Sequence, residues 1–458
     1  MRRSCLSANV PAFWVLLGCL CGPVSAAFPE YLNQDSATTH WHSGICTSDG
    51  QVVWDYQFDA LVSDPSGTPL TYYELAFAFM QCYGGGMIDE LTSRLGAASF
   101  TAAARHNERS WNGVRDPATS GQRESYYNVH YSPYAGGSTV RPHGAAALHA
   151  YNNDLVGPVI QNTQNNPPEH PQYRYNYVLT DRTDVTLHRP NFTTPTPPSY
   201  LAILFGGSST RGTDFSGAVA NYNSLVRIHD DLMARGYTAS EIYLMYPGTT
   251  DPWGGSLPST WTVDDGTSFQ DMQDAWTWAN SNSTAGTQVY FWSTVSHGTR
   301  GANVKAAIQE AYGEEIQSDR TYGFELDVEF VEQTTELFHL LGGGEGRRPG
   351  QPHFQVIAPQ PLPDLGVTLN GEQLVLLETS DVGVQGDAAI CHRFALDELD
   401  VGLLSPASNT LALSWSGGPI EFKMVGPTTG IMSNEIPEPA TLMLLAFGGL
   451  AAMRRRRR

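Results

Sequence analysis

The sequence predicts an α/β protein, a parallel or mixed sheet flanked by helices, followed by an all-β, sandwich-like accessory domain towards the C-terminus. Two observations predict it. Apolar runs of strand length at 200–205, 242–246 and 288–295 alternate with helical patterns at 218–235 and 271–281, as buried parallel strands and their crossovers do. Beyond a Gly- and Arg-rich break at 342–349, short apolar runs between 354 and 425 are separated by Asn-Gly, Gly-Asp and Gly-Gly turns, the pattern of an antiparallel sandwich.

Taken in order, the chain opens on Met1-Arg-Arg, an apolar stretch at 10–20 and small residues around Ala26, the three parts of a secretory signal cleaved near that alanine. Residues 51–58 read as a strand. The run Glu74-Leu-Ala-Phe-Ala-Phe-Met-Gln-Cys-Tyr-Gly-Gly-Gly then displays Cys82 at the carboxyl end of an apolar strand, where open α/β sheets put their chemistry. A helix is expected over 87–95, with Asp89 and Glu90 as its solvated first turn, and a small-residue strand over 97–104. Residues 112–141 read as polar and aromatic loop, 144–152 as an Ala-rich helix, and the Asn-, Pro- and Thr-dense stretch 161–198 as a long surface connection. After 199 come an apolar strand, a Gly loop and a helix with Tyr222, Leu225, His229 and Leu232 on one buried face. The third strand of this group runs into Ser296-His297-Gly298, and 301–314 is helical.

With 26 basic and 46 acidic residues the formal charge is -20. Residues 1–26 and 436–458 hold seven arginines against one glutamate, Glu438, so their removal deepens the acidity. Such a chain repels phosphate, and nucleic acid is not an expected partner. Lysine occurs only at Lys305 and Lys423. Three cysteines remain after signal removal: Cys46 and Cys391 can pair as a bridge, which leaves Cys82 as the lone thiol. His40 and His42 share one face of an extended segment, but no Asp, Glu or Cys completes a ligand set at a recognised spacing, so neither metal nor cofactor is expected.

A cysteine and a histidine at the carboxyl ends of neighbouring parallel strands form a nucleophile and base pair. The sulfur attacks a carbonyl as thiolate, the imidazole takes and returns the proton, and backbone amides hold the oxyanion. The pieces resemble the caspase-fold cysteine peptidases, most nearly the legumain-like group. The strand, Gly loop, helix and strand of 201–246, the strand ending in His297-Gly298, and the strand ending in Gln81-Cys82 before Gly84-Gly85-Gly86 all resemble parts of that family. So do Phe100-Thr-Ala-Ala-Ala with Glu108-Arg-Ser-Trp, and Glu169-His-Pro-Gln-Tyr173.

In that family the His-Gly strand precedes the cysteine strand; here Cys82 comes first. A circular permutation reconciles the two. It implies a caspase-like domain whose second half is 27–175 and whose first half is 199–315, joined by the linker 176–198. A signal peptide 1–26, a connecting segment 316–350, the β accessory domain 351–432 and a tail 433–458 complete the layout. The resemblance implies Cys82 as nucleophile, His297 as general base and acid, the amides of Gly298 and Cys82 as oxyanion donors, and a protein or peptide substrate. An alternative register uses His42, which stands before Ser43-Gly44. An alternative function is a catalytically inactive caspase-like surface or matrix protein with an adhesive or carbohydrate-binding β-domain.

The tail pairs Pro437-Glu438-Pro439 with an apolar stretch and five terminal arginines. It resembles the PEP-CTERM sorting signal. That resemblance implies export to the cell surface or beyond, transient anchoring through the apolar segment with the arginines on the cytoplasmic side, and removal by an exosortase.

Overall fold

The computed structural model describes residues 41–49, 51–63, 68–88, 90–91, 95–115, 123–136, 143–154, 169–176, 199–207, 215–294, 298–328, 330–332, 334–335, 352–381, 389–396 and 402–428. The signal peptide, nearly all of the 176–198 linker, His297 and the sorting tail lie outside them.

The first part of the chain forms β1 (Trp41–Cys46), β2 (Val52–Trp54), α1 (Asp55–Ser63), β3 (Glu74–Phe79), a 3-10 turn (Gly84–Met87), β4 (Ala98–Ala102), β5 (Asn112–Arg115), β6 (Arg123–Ser125), α2 (Asn128–Gly136), α3 (His143–Asn153) and β7 (Gln172–Asn176). The second forms β8 (Ser199–Gly206), α4 (Phe215–Arg235), β9 (Ile242–Met245), α5 (Phe269–Asn282), β10 (Thr287–Thr294), β11 (Gly298–Ala302), α6 (Val304–Tyr312) and β12 (Arg320–Phe324). The last forms β13 (His353–Ala358), β14 (Gly366–Leu369), β15 (Glu372–Gln373), β16 (Val375–Asp381), β17 (Ile390–Ala395), β18 (Asn409–Ser414) and β19 (Glu421–Thr428).

A six-stranded sheet has the order β7-β4-β3-β10-β8-β9. Five strands are parallel and β7 is antiparallel to β4. Strands from the two ends of this region meet where β3 pairs with β10. Because side chains alternate along a strand, Phe77, Phe79, Ile203 and Phe291 face α1 and α5 on one side, in a cluster with Phe58 and Trp276. Ala76, Ala78, Leu204 and Trp292 face α2, α3 and α4 on the other. Each such fully buried large side chain contributes roughly 1.5–3 kcal/mol by transfer from water.

Several local expectations change. Residues 51–58 are strand only as far as Trp54. Asp55 starts a helix because its carboxylate accepts the N–H groups of Ser43 and Tyr56, while the Gln57 side chain accepts that of Trp54 at 3.0 Å. Phe58, Leu61 and Val62 then fall on one buried helical face. Within 112–141, expected as loop, β5 pairs with β6, and Tyr127, Tyr131 and Ala135 recur at a helical spacing of four. The connection 161–198 contributes β7. The helix expected from 301 starts at Val304, since Asn303 Oδ1 accepts the Ala306 N–H at 3.1 Å as its cap.

A seven-stranded antiparallel sheet has the order β16-β17-β13-β19-β11-β1-β2, and a four-stranded one the order β12-β18-β14-β15. They close over a shared core that includes Tyr322, Phe354, Val356, Leu411, Leu413, Phe422 and Ile308 of α6. Strands from 41–54 and 298–302 therefore continue the C-terminal strands in one sheet. Cys46 and Cys391, read as a possible bridge, are buried free thiols here, and burial pushes both up to about 12.

Candidate functional site

The parallel register of β3 and β10 sets Phe79 opposite Ser293, and the Met80 N–H continues the ladder to the Ser293 carbonyl at 2.8 Å. Gln81 then accepts the Ser293 hydroxyl at 2.9 Å. The strands that precede Cys82 and His297 in sequence, β3 and β10, thus end side by side at the carboxyl end of the sheet. His297 itself lies outside the described residues; Gly298, proposed as an oxyanion donor, begins β11 opposite Ile45 of β1.

Cys82 is 5% exposed rather than openly displayed. Its sulfur accepts the Ser110 N–H at 3.1 Å and donates its thiol proton to the Ser110 carbonyl at 3.2 Å. Tyr83 sits in the left-handed region with φ 58, which turns the backbone sharply into the three glycines. Its N–H donates to the Glu108 carbonyl at 2.8 Å. Burial, opposed by Arg300 and Arg109, pushes the Tyr83 hydroxyl up to about 12. Gly85 is required by contact: a Cβ there would lie 2.9 Å from the Ala104 carbonyl oxygen, and its N–H donates to that same oxygen.

The 105–111 loop that covers the cysteine is held in turn by residues 169 and 170. Glu169 Oε2 accepts the Trp111 N–H at 2.7 Å. Glu108 accepts the His170 backbone N–H at 2.9 Å and contacts its Nδ1 at 2.6 Å.

His42, the alternative base, is buried on β1 opposite Gly301. Its Nδ1 lies 2.9 Å from Asp55 Oδ1 and its Nε2 3.1 Å from Asn303 Nδ2. Because Asn303 spends its carbonyl oxygen on the helix cap, its NH₂ donates to Nε2, so the imidazole carries its proton on Nδ1 towards Asp55. Both nitrogens are therefore engaged.

Sequence spacing gave no sign of Asp55 or Glu90 here. Ligand atoms of His42, Asp55 and Glu90 lie within 4.8 Å of one another, and Glu90, expected on a solvated turn, is half-buried. A cation bound to this set would have to turn the Asn303 amide or strip the Nδ1 proton. Beside it Lys423 is fully buried, 3.0 Å from Glu421 and 3.7 Å above the Tyr56 ring. Burial lowers the ammonium pKa, against the opposing pull of Glu421 and Asp55.

Ser99 and His143 form a core network. Ser99 Oγ lies 2.6 Å from His143 Nδ1, and His143 Nε2 lies 2.7 Å from the Tyr131 hydroxyl, all sealed from solvent. Burial holds the His143 imidazole down at about 3.

Among the described residues no helix is long and apolar enough to cross a membrane, and the apolar stretch 440–453 lies outside them. Comparison with curated proteins and with solved structures finds no match. Comparison with family models matches residues 435–458 to the PEP-CTERM protein-sorting motif. That motif implies an exported, cell-surface-associated protein that an exosortase sorts.

Proposed function

We propose that the protein is an exported cysteine endopeptidase on a circularly permuted caspase-like fold, with Cys82 and His297 as its dyad. The observation that carries the reading is the parallel pairing of β3 with β10 in register Phe79 with Ser293. The strand before the cysteine and the strand before the histidine, distant in sequence, are neighbours that end at the same, carboxyl end of the sheet. What also supports it is the engagement of both His42 nitrogens, which favours His297 as base.

In this reading the Cys82 thiol gives its proton to the His297 imidazole, and the sulfur adds to the scissile carbonyl. The amides of Gly298 and Cys82 stabilise the oxyanion. The imidazolium then protonates the leaving amine, and water hydrolyses the thioester.

The test is labelling of the mature protein with a thiol-reactive peptide electrophile, read by peptide mapping beside a hydrolysis assay on unfolded protein substrates. Cys82 is expected to label before Cys46 and Cys391. Cys82→Ser and His297→Ala are each expected to lower hydrolysis by at least about a thousandfold. No preferential labelling of Cys82 and no hydrolysis by the wild type would overturn the peptidase and leave the non-catalytic surface protein.

A further inference from the structure

The Glu169-His170 motif has no part in the dyad, yet the bonds around it converge on the sulfur. Two contacts tie the 105–111 loop to the cysteine turn: Ser110 N–H to Cys82 Sγ, and Tyr83 N–H to the Glu108 carbonyl. Two more tie the same loop to the motif: Trp111 N–H to Glu169, and the Glu108 carboxylate to His170. The Trp111 amide and the Ser110 amide belong to consecutive residues. Whatever fixes one therefore aims the other.

Glu169 is itself fully buried, as is Asp154 immediately after α3, and the Asp154 side chain is near enough to raise the Glu169 carboxyl. Two neighbouring carboxyls out of water resist ionising together, which favours one proton held between them. We propose that Glu169 and Asp154 form a carboxyl–carboxylate pair which, together with His170, positions the Cys82 sulfur through the 105–111 loop.

Burial first and Asp154 second push Glu169 well above the usual carboxylate range; the Trp111 N–H opposes them. The groups that face Glu169 are Asp154, Tyr127 and Cys82. Cys82 also faces Cys46 and Tyr83, whose hydroxyl is turned to Arg109 and Arg300. Held by its proton, Glu169 can accept from Trp111 at one oxygen and bond Asp154 with the other. The Ser110 N–H favours the thiolate and the Ser110 carbonyl the thiol; the bond to the charged sulfur is the stronger of the two, so loosening the segment raises the thiol's titration midpoint.

These are positioning residues, and their role rests on Cys82 being the reacting group. The experiment is the pH dependence of iodoacetamide alkylation at Cys82 in the mature chain, followed by peptide mapping; it needs no turnover. Glu169→Ala is expected to move the midpoint up by about one pH unit, so that neutral-pH alkylation falls about tenfold. Glu169→Gln, which keeps an acceptor for Trp111 and a donor for Asp154, is expected to restore the wild-type midpoint to within a few tenths of a unit.

Should Glu169→Ala not fold, His170→Ala removes the Nδ1 contact of the second tether while its backbone N–H stays on Glu108, and a smaller upward movement is expected. An unmoved midpoint in the folded variant, or Glu169→Gln behaving like Glu169→Ala, overturns the proposal. A wild type that shows the Glu169 dependence but cleaves no peptide overturns the peptidase reading instead.

Discussion

Burial keeps His143 neutral in the fold, with its imidazole pulled from an ordinary 6.5 down to about 3. The unfolded chain binds a proton there below 6.5, and the native one does not until near 3. The stability this provides is complete above pH 6.5 and is lost as pH falls from 6.5 towards 3. The denaturant midpoint is expected to drop between pH 8 and pH 5, and His143→Gln to weaken that drop while lowering stability at pH 8. Glu169 works in the opposite direction. Its raised carboxyl is protonated in the fold, so its contribution is full below the ordinary 4.5 and lost as pH rises above it. Glu169→Gln, neutral at every pH, should therefore be more stable than the wild type at pH 8 by the same measurement.

Among elements, the turn after β3 is the one whose shape the backbone dictates. An alanine Cβ at Gly85 would meet the Ala104 oxygen at 2.9 Å and the Arg105 backbone at 3.0 Å, neither of which can yield as a side chain does. Gly85→Ala is expected to cost about 1–3 kcal/mol in denaturant melts and to slow Cys82 labelling. Gly313 is the contrast: it ends α6 with φ 68 and open space around it. Gly313→Ala should cost only about 1 kcal/mol of left-handed strain and leave labelling untouched. Equal labelling in both variants would separate the glycine turn from the cysteine's chemistry.

At the scale of the molecule, the C-terminal strands share a sheet with the N-terminal ones. β19 pairs with β11, β11 with β1, and Trp54 on β2 reaches across to Gln355 on β13 at 3.0 Å. A chain ending at residue 315 would strip β11 of its β19 neighbour and expose Val304 and Ile308 of α6, which the C-terminal core covers. Such a truncation is expected to elute as aggregate in size-exclusion chromatography. A folded monomer with normal Cys82 labelling would show instead that the C-terminal strands are dispensable to the site.

The pattern of apolar runs was enough to specify the buried strands at 74–79, 199–206, 242–245 and 287–294 and the helices at 215–235 and 269–282, because strands buried on both faces are written as continuous hydrophobic sequence. The sorting motif at 435–458 was equally legible, since short signals of this kind are read as sequence. Partners were not. Asp55 lay inside an apparent strand until its carboxylate proved to start a helix, and Glu90 looked solvated until β1 and α1 brought His42 and Asp55 beside it. Glu169 joined Trp111 and Asp154 only once β7 had paired with β4. Period and composition record which face of an element is buried; which far segments meet there is decided by pairing between strands and by the need of every buried charge for a partner.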